Sequence, residues 1–284
     1  MPTPVITVHP ITLPAPGRGT DFTVRVSAPT TGDDRPVIVL SHGFGQSAIG
    51  YEPLAGYWAA HGLVVVQPTH LDSRTLGLAP DDPRTPDIWR IRIADLKLAI
   101  DHLDTLAAAV PGLTGRVDTG SIAVAGHSWG AQTASTLLGA RTPDGEDFSD
   151  PRVSRGVLLA ITGTGGADLS PFAAEHFPFM SPDFGDMKAP ALIVAGDNDR
   201  SQLSVRGPDW FTDAYHRSPG PKSLLTLFGA EHSLGGVAGY ESAETTDEHP
   251  GRVALIQRLT TAYLHGSADL AADADLGTLE ERHG

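Results

Sequence analysis

Gly126-His127-Ser128-Trp129-Gly130 lies directly behind the apolar run Ser121 to Ala125 and directly ahead of the small-residue stretch Ala131 to Ser135. A turn that tight between strand and helix leaves no room for side chains two residues before and two after the serine. Glycine therefore flanks it, and the hydroxyl is forced out at the top of a sheet. The bland alternative is a surface loop; strand, elbow and small-residue helix together favour a nucleophile. A serine hydroxyl at neutral pH attacks an acyl carbon only with help. It needs a base to take its proton, a carboxylate to orient that base, and N–H donors for the oxyanion.

Acid candidates follow the apolar run Ala191 to Ala195, in Gly196-Asp197-Asn198-Asp199-Arg200. The glycine-led turn must carry the chain past the strand end before a carboxylate can reach a base, which selects Asp199; Asp197 suits a turn-supporting Asx role. Among twelve histidines, His232 is the expected base because it sits on a small-residue loop just past the last strand. Its nearest rival, His249, abuts Pro250 at a helix start. The expected oxyanion donors are the amide of Trp129, at a helix N-terminus, and the amide of Phe44, within Ser41-His42-Gly43-Phe44-Gly45-Gln46. His42 and His127 are read as braces for these two loops.

The elements that must position these groups alternate along the chain. One or two N-terminal antiparallel strands, including Phe22 to Val26, precede the buried strand Val37 to Leu40. Residues Tyr51 to His61 form an amphipathic helix stopped by Gly62, and Leu63 to Val66 is the next strand. From Trp89 to Val110, Ile93, Leu96, Ile100, Leu103 and Leu106 recur at helical spacing, which predicts one long helix with Arg92, Asp95, Lys97 and Asp101 turned outward. Strands follow at 121 to 125, 157 to 161, 191 to 195 and 223 to 227, with helices from about 129 to 139 and near Arg252 to Leu264. The expected fold class is α/β, a doubly wound, mostly parallel sheet with helices on both faces, its site beyond the carboxyl ends of the strands.

Two segments interrupt the alternation. Leu71 to Asp87 is a polar, proline-bearing loop, and Thr162 to Lys188 is an excursion with Phe172, Phe177, Phe179, Met180 and Phe184. Both are expected to form the pocket rim, 162–188 as a short cap, with Phe172, Phe177 and Phe179 touching substrate; ordinary loop packing is the alternative. His70 and Asp72 are too few to hold a metal and are read as pocket-rim or loop-bracing residues, with His70 counted among the substrate contacts. The expected organisation is a single domain over residues 1–266 and an acidic C-terminal tail over 267–284. That tail carries Asp269, Asp273, Asp275, Glu280 and Glu281 and reads as a solvated final helix or frayed end.

Composition narrows the function classes. The formal net charge is −14, from 34 acidic and 20 basic residues, which disfavours nucleic acid and anionic membrane surfaces as partners. No stretch approaches the roughly 20 apolar residues of a membrane span. The chain has no cysteine, so neither a thiol nucleophile nor thiolate metal sites are available. No cofactor and no metal are expected. The start, Met1 to Val5, lacks a secretory signal, so a cytoplasmic location is expected, although a chain trimmed of its signal would look the same.

From Val37 to Leu264 the chain resembles the α/β-hydrolase superfamily. Leu40-Ser41-His42-Gly43, Thr69-His70-Leu71-Asp72, the Trp89 to Leu103 helix and Gly126 to Gly130 look like the group of platelet-activating-factor acetylhydrolases, dienelactone-hydrolase-like proteins and chlorophyllase-like esterases. The resemblance implies a triad of Ser128, Asp199 and His232 with Phe44 and Trp129 as oxyanion donors. Dienelactone hydrolases proper use a cysteine, absent here, and the 162–188 excursion is shorter than the lid of interfacial lipases. The expected activity is a serine carboxylesterase acting on short- to medium-chain esters through an acyl-enzyme, its partner a small-molecule ester. An amidase, thioesterase or peracid-forming enzyme would use the same groups. A non-catalytic binding module has no physical need for all of them.

Overall fold

The wholly apolar, β-branched runs of the sequence become the inner strands of one sheet, because parallel strands covered on both faces must be apolar along their whole length. The computed structural model describes residues 2–79, 81–239, 246–267 and 270–283. Its strands are β1 (Val5–Leu13), β2 (Phe22–Pro29), β3 (Arg35–Ser41), β4 (Val64–Pro68) and β5 (Val117–His127). They continue with β6 (Val153–Leu159), β7 (Ala191–Gly196), β8 (Lys222–Leu227) and β9 (Gly277–Arg282). Helices are α1 (Glu52–Ala60), α2 (Ile88–Asp101), α3 (Leu103–Ala109), α4 (Trp129–Leu137), α5 (Pro171–His176), α6 (Asp213–Arg217) and α7 (Pro250–Leu264).

The described strands form a nine-stranded sheet in the order β1-β2-β4-β3-β5-β6-β7-β8-β9. From β4 to β8 every neighbouring pair is parallel, while β1, β2 and β9 run antiparallel at the two margins. Helices cover both faces: α1 packs on α7, tied by the Trp58 indole N–H donating to Thr260 Oγ1 at 2.9 Å, and α2 packs on α4. Chain order steps from β3 to β4 on one side and then to β5 on the other. That reversal opens a crevice at the carboxyl ends of β3 and β5, where open α/β sheets bind ligands.

Three expectations are corrected. The helix read from Trp89 to Val110 is two helices. At His102 the backbone turns to φ −110°, ψ 20°, and the ring Nδ1–H donates to the Leu98 carbonyl at 3.0 Å, competing with the helical ladder. Arg92 and Asp95 do not turn outward. They lie on the same stripe of α2 as Ile88, Leu96 and Ala99 and are buried, which is tolerable because each has an ionic partner. The C-terminal stretch is neither helix nor frayed end: β9 pairs with β8 from Lys222↔Arg282 to Leu227↔Gly277, and the Arg282 guanidinium donates to the Tyr215 carbonyl at 2.8 Å. Asp269 lies outside the described residues.

Candidate active site

The elbow after β5 is sterically closed to any residue but glycine at its flanks. A Cβ on Gly126 would lie 2.2 Å from the carbonyl group of Gly130, and one on Gly130 would lie 2.1 Å from the carbonyl oxygen of Ser41. Ser128 takes φ 56°, ψ −125°, a sparsely populated conformation for a residue with a side chain, held because its N–H donates to Leu159 O at 2.9 Å in neighbouring β6. The hydroxyl thus stands above the sheet at the start of α4.

Ser128 Oγ–H donates to His232 Nε2 at 2.8 Å, and His232 Nδ1–H donates to Asp199 Oδ2 at 2.9 Å. The carboxylate accepts, so it fixes the imidazole tautomer with Nε2 free to receive the serine proton. Asp199 is fully buried while the imidazole is 43% exposed, so one end of the chain is dry and the other faces solvent. Asp199 Oδ1 is buried without a partner among the described residues. Asp197 is occupied elsewhere: its Oδ1 accepts the Gly229 N–H at 2.6 Å, bracing the turn after β8. His249 caps α7, its Nδ1 accepting the Arg252 N–H at 3.1 Å.

The amides of Phe44 and Trp129 donate to no acceptor among the described residues, and the two side chains meet with ring centroids 5.7 Å apart. His42 and His127 brace the loops around them. His42 Nδ1–H donates to the Gly43 carbonyl at 2.7 Å, and its Nε2 accepts the His70 N–H at 3.0 Å. His127 Nε2–H donates to the His232 carbonyl at 2.7 Å, and its Nδ1 lies 2.9 Å from the Tyr51 hydroxyl, which also accepts the Gly43 N–H at 3.0 Å. Burial, with the charge of Arg92 adding to it, lowers His42 to about 4. Burial, with His232 adding to it, lowers His127 to about 3. Both rings are therefore neutral at physiological pH and serve as fixed donor–acceptor struts.

A cavity of about 670 Å³ opens beside Trp129, lined among others by Phe44, Trp89, Phe177 and Phe179, with Thr85 and Pro86 from the polar loop. The rim therefore draws on both segments that interrupt the alternation. Phe172 is not in that lining; it is 55% exposed and packs against the outer side of Phe177 at 5.7 Å. Met180 and Phe184 are buried core residues. His70 is also not a substrate contact. It has no exposed surface, and its ring bridges Ser41 Oγ and Asp95 Oδ2, each at 2.9 Å. Burial holds it well below the ordinary histidine value. The same desolvation pushes Asp95 up to about 7, against the pull of Arg18.

Two residues that organise the site, Arg92 and Asp247, carry no local signature, whereas Asp72 braces a loop, one of the two roles read for it from the sequence. Arg92 donates to Asp72 Oδ1 at 2.6 Å and to the His42 carbonyl, and its guanidinium carbon stands 4.6 Å over the Trp129 ring. Asp72 Oδ2 accepts the Gly45 N–H at 2.9 Å. Burial alone would raise the Asp72 carboxyl; Arg92 and the Gly45 N–H outweigh it and hold the group below the usual carboxylate range. Asp247 clamps the His232 loop, accepting the N–H groups of Glu231 at 2.7 Å and Gly235 at 3.1 Å. The helical period read from Ile93, Leu96 and Ile100 left Arg92 on the outward side, whereas the buried stripe of α2 is wider and takes in Ile88, Arg92, Asp95 and Ala99 as well.

No family model matches the sequence, and no curated protein sequence matches it. Among solved structures, an esterase from Pyrobaculum calidifontis, in its monoclinic form, superposes with a TM-score of 0.59 at 22% identity, over 91% of this chain and 86% of that one. That likeness and the sheet topology together identify the architecture as the α/β-hydrolase fold.

Proposed function

We propose that the chain is a serine carboxylesterase of short- to medium-chain esters, working through an acyl-enzyme on Ser128. The observation that carries this reading is the imidazole of His232, within 2.8 Å of the Ser128 hydroxyl and 2.9 Å of the Asp199 carboxylate. In this reading Ser128 Oγ attacks the ester carbonyl while His232 Nε2 takes its proton and passes it to the departing alcohol. Asp199 holds the tautomer and stabilises the imidazolium. Water, deprotonated by the same imidazole, then releases the acid. The amides of Phe44 and Trp129 receive the oxyanion, each worth roughly 3 to 4 kcal/mol to the tetrahedral intermediate. The cavity beside Trp129 receives part of the ester, and the name of the structural neighbour, an esterase, supports the reaction class.

The test is direct. A fluorophosphonate probe should label Ser128, a p-nitrophenyl ester panel from acetate to palmitate should favour short to medium acyl groups, and Ser128→Ala should abolish turnover. Full turnover in that variant would overturn the mechanism, and a preference for palmitate would overturn the substrate range.

A further inference from the structure

The two amides assigned to the oxyanion lie beyond the end of a strand pairing: β3 and β5 are paired as far as Ser41↔Gly126, but Phe44 sits on the loop after β3 and Trp129 opens α4. Such donors must be held to within about 0.5 Å and 10–20° to act together. The Phe44 N–H belongs to the Gly43–Phe44 peptide. The peptide before it carries the His42 carbonyl and the peptide after it carries the Gly45 N–H. Both neighbours end on one ion pair: the His42 carbonyl accepts from Arg92 Nη2, and the Gly45 N–H donates to Asp72 Oδ2 at 2.9 Å. The pair itself is closed by Arg92 Nη1 to Asp72 Oδ1 at 2.6 Å, with side-chain exposures of 0% and 2%.

The same guanidinium reaches the other donor. Arg92 Nε donates to Thr133 Oγ1 at 3.2 Å, and Thr133 Oγ1–H donates to the Trp129 carbonyl at 2.9 Å. Its plane also supports the Trp129 ring from below, at 4.6 Å. One planar, five-donor cation on α2 therefore ties the loop after β3, the loop after β4 and the first turn of α4. Lysine, a point charge, cannot make these contacts at once. A buried ion pair is a poor source of net stability, since apolar residues of similar volume fill a core as well or better. Its geometry serves the site rather than the core.

We infer that Arg92, acting through Asp72, is the positioning residue that sets the oxyanion site of this chain. The inference rests on the ester-hydrolase reading above. The Gly43–Phe44 peptide is held directly only at its carbonyl, by His42 Nδ1–H at 2.7 Å and the Gln46 N–H at 3.2 Å. Without the pair, the peptides on either side of it lose their anchors and the Phe44 N–H is less closely aimed, while the Ser128–His232–Asp199 contacts, which touch neither residue, stay in place.

The experiment compares the whole chain with Arg92→Lys, Asp72→Asn and the double variant Arg92→Met/Asp72→Val, which leaves no buried charge unpaired. It measures kcat and KM on p-nitrophenyl butyrate, Ki for a trifluoromethyl ketone that forms a tetrahedral adduct with the serine, and the thermal midpoint. Loss of one oxyanion donor lowers kcat by about 10²- to 10³-fold. We expect a fall of that order in the double variant, KM within about threefold, and Ki weakened in step with kcat/KM. Arg92→Lys should fall between it and the parent. A purely structural role would shift the thermal midpoint without coupling Ki to kcat/KM. If the folded double variant keeps full kcat and unchanged Ki, the inference is wrong. Absence of ester turnover and of a Ser128 adduct in the unaltered chain would instead remove the reading beneath it.

Discussion

Asp199 meets His232 through a single oxygen, and its other oxygen has no donor among the described residues. All of the carboxylate's useful hydrogen-bonding capacity is thus aimed at one imidazole N–H. Asparagine at this position keeps the shape but can present N–H where the imidazole needs an acceptor, favouring the unproductive tautomer. We expect Asp199→Asn to fold normally and to lose about 10⁴-fold in kcat on a chromogenic ester; unchanged kcat would show that another group orients the ring. The meeting of Ser128, Asp199 and His232 was legible in the sequence because strand order dictates which loops converge above the sheet. Arg92 and His70 were not. Their partners lie 20 and 25 residues away in sequence, and an unpaired charge on a helix is sensibly assigned to solvent until its counterion is visible.

At the scale of elements, the apolar runs of β3 to β8 announced themselves, since a strand buried on both faces has little freedom in composition. The break at His102 and the strand β9 were hidden for opposite reasons. The break depends on a side-chain bond competing with the helix, and β9 contains Thr278, Glu280, Glu281 and Arg282 with little apolar content, as suits a marginal strand facing water. Its role is protective. Removing residues 270–284 uncovers the edge of β8, whose Leu224, Leu225 and Leu227 are buried. The expected result is a lower thermal midpoint and a concentration-dependent high-mass species in size-exclusion chromatography. A truncated chain that remains as stable and as monodisperse as its parent would show that the edge needs no cover.

The whole molecule should lose stability in mild acid. His42, His70 and His127 are neutral in the fold, with His42 lowered to about 4, His127 to about 3 and His70 well below 6.5. An unfolded chain protonates each near 6.5. The stability they provide is complete above about pH 6.5 and is lost as pH falls toward the folded values, each ring contributing up to about 1.4 kcal/mol per pH unit. Asp95 acts oppositely. Raised from 3.8 to about 7, it favours the fold at low pH and offsets roughly one histidine across the same window. Urea unfolding at successive pH values between about 6.5 and 4.5 should show a net decline, and His127→Gln should flatten it. A stability that holds level or rises on acidification would contradict the neutral assignment.

The cavity beside Trp129 is walled largely by 85–89 and 175–179, whereas the hydroxyl, imidazole and carboxylate rise from the ends of β5, β8 and β7. In the proposed reading, selection of the guest and execution of the chemistry therefore fall to separable cassettes. Transplanting a foreign 171–180 segment should retune which molecules enter without rewiring the reacting groups. Phe44 and Trp129 belong to both cassettes, and they are the seam any such graft has to match.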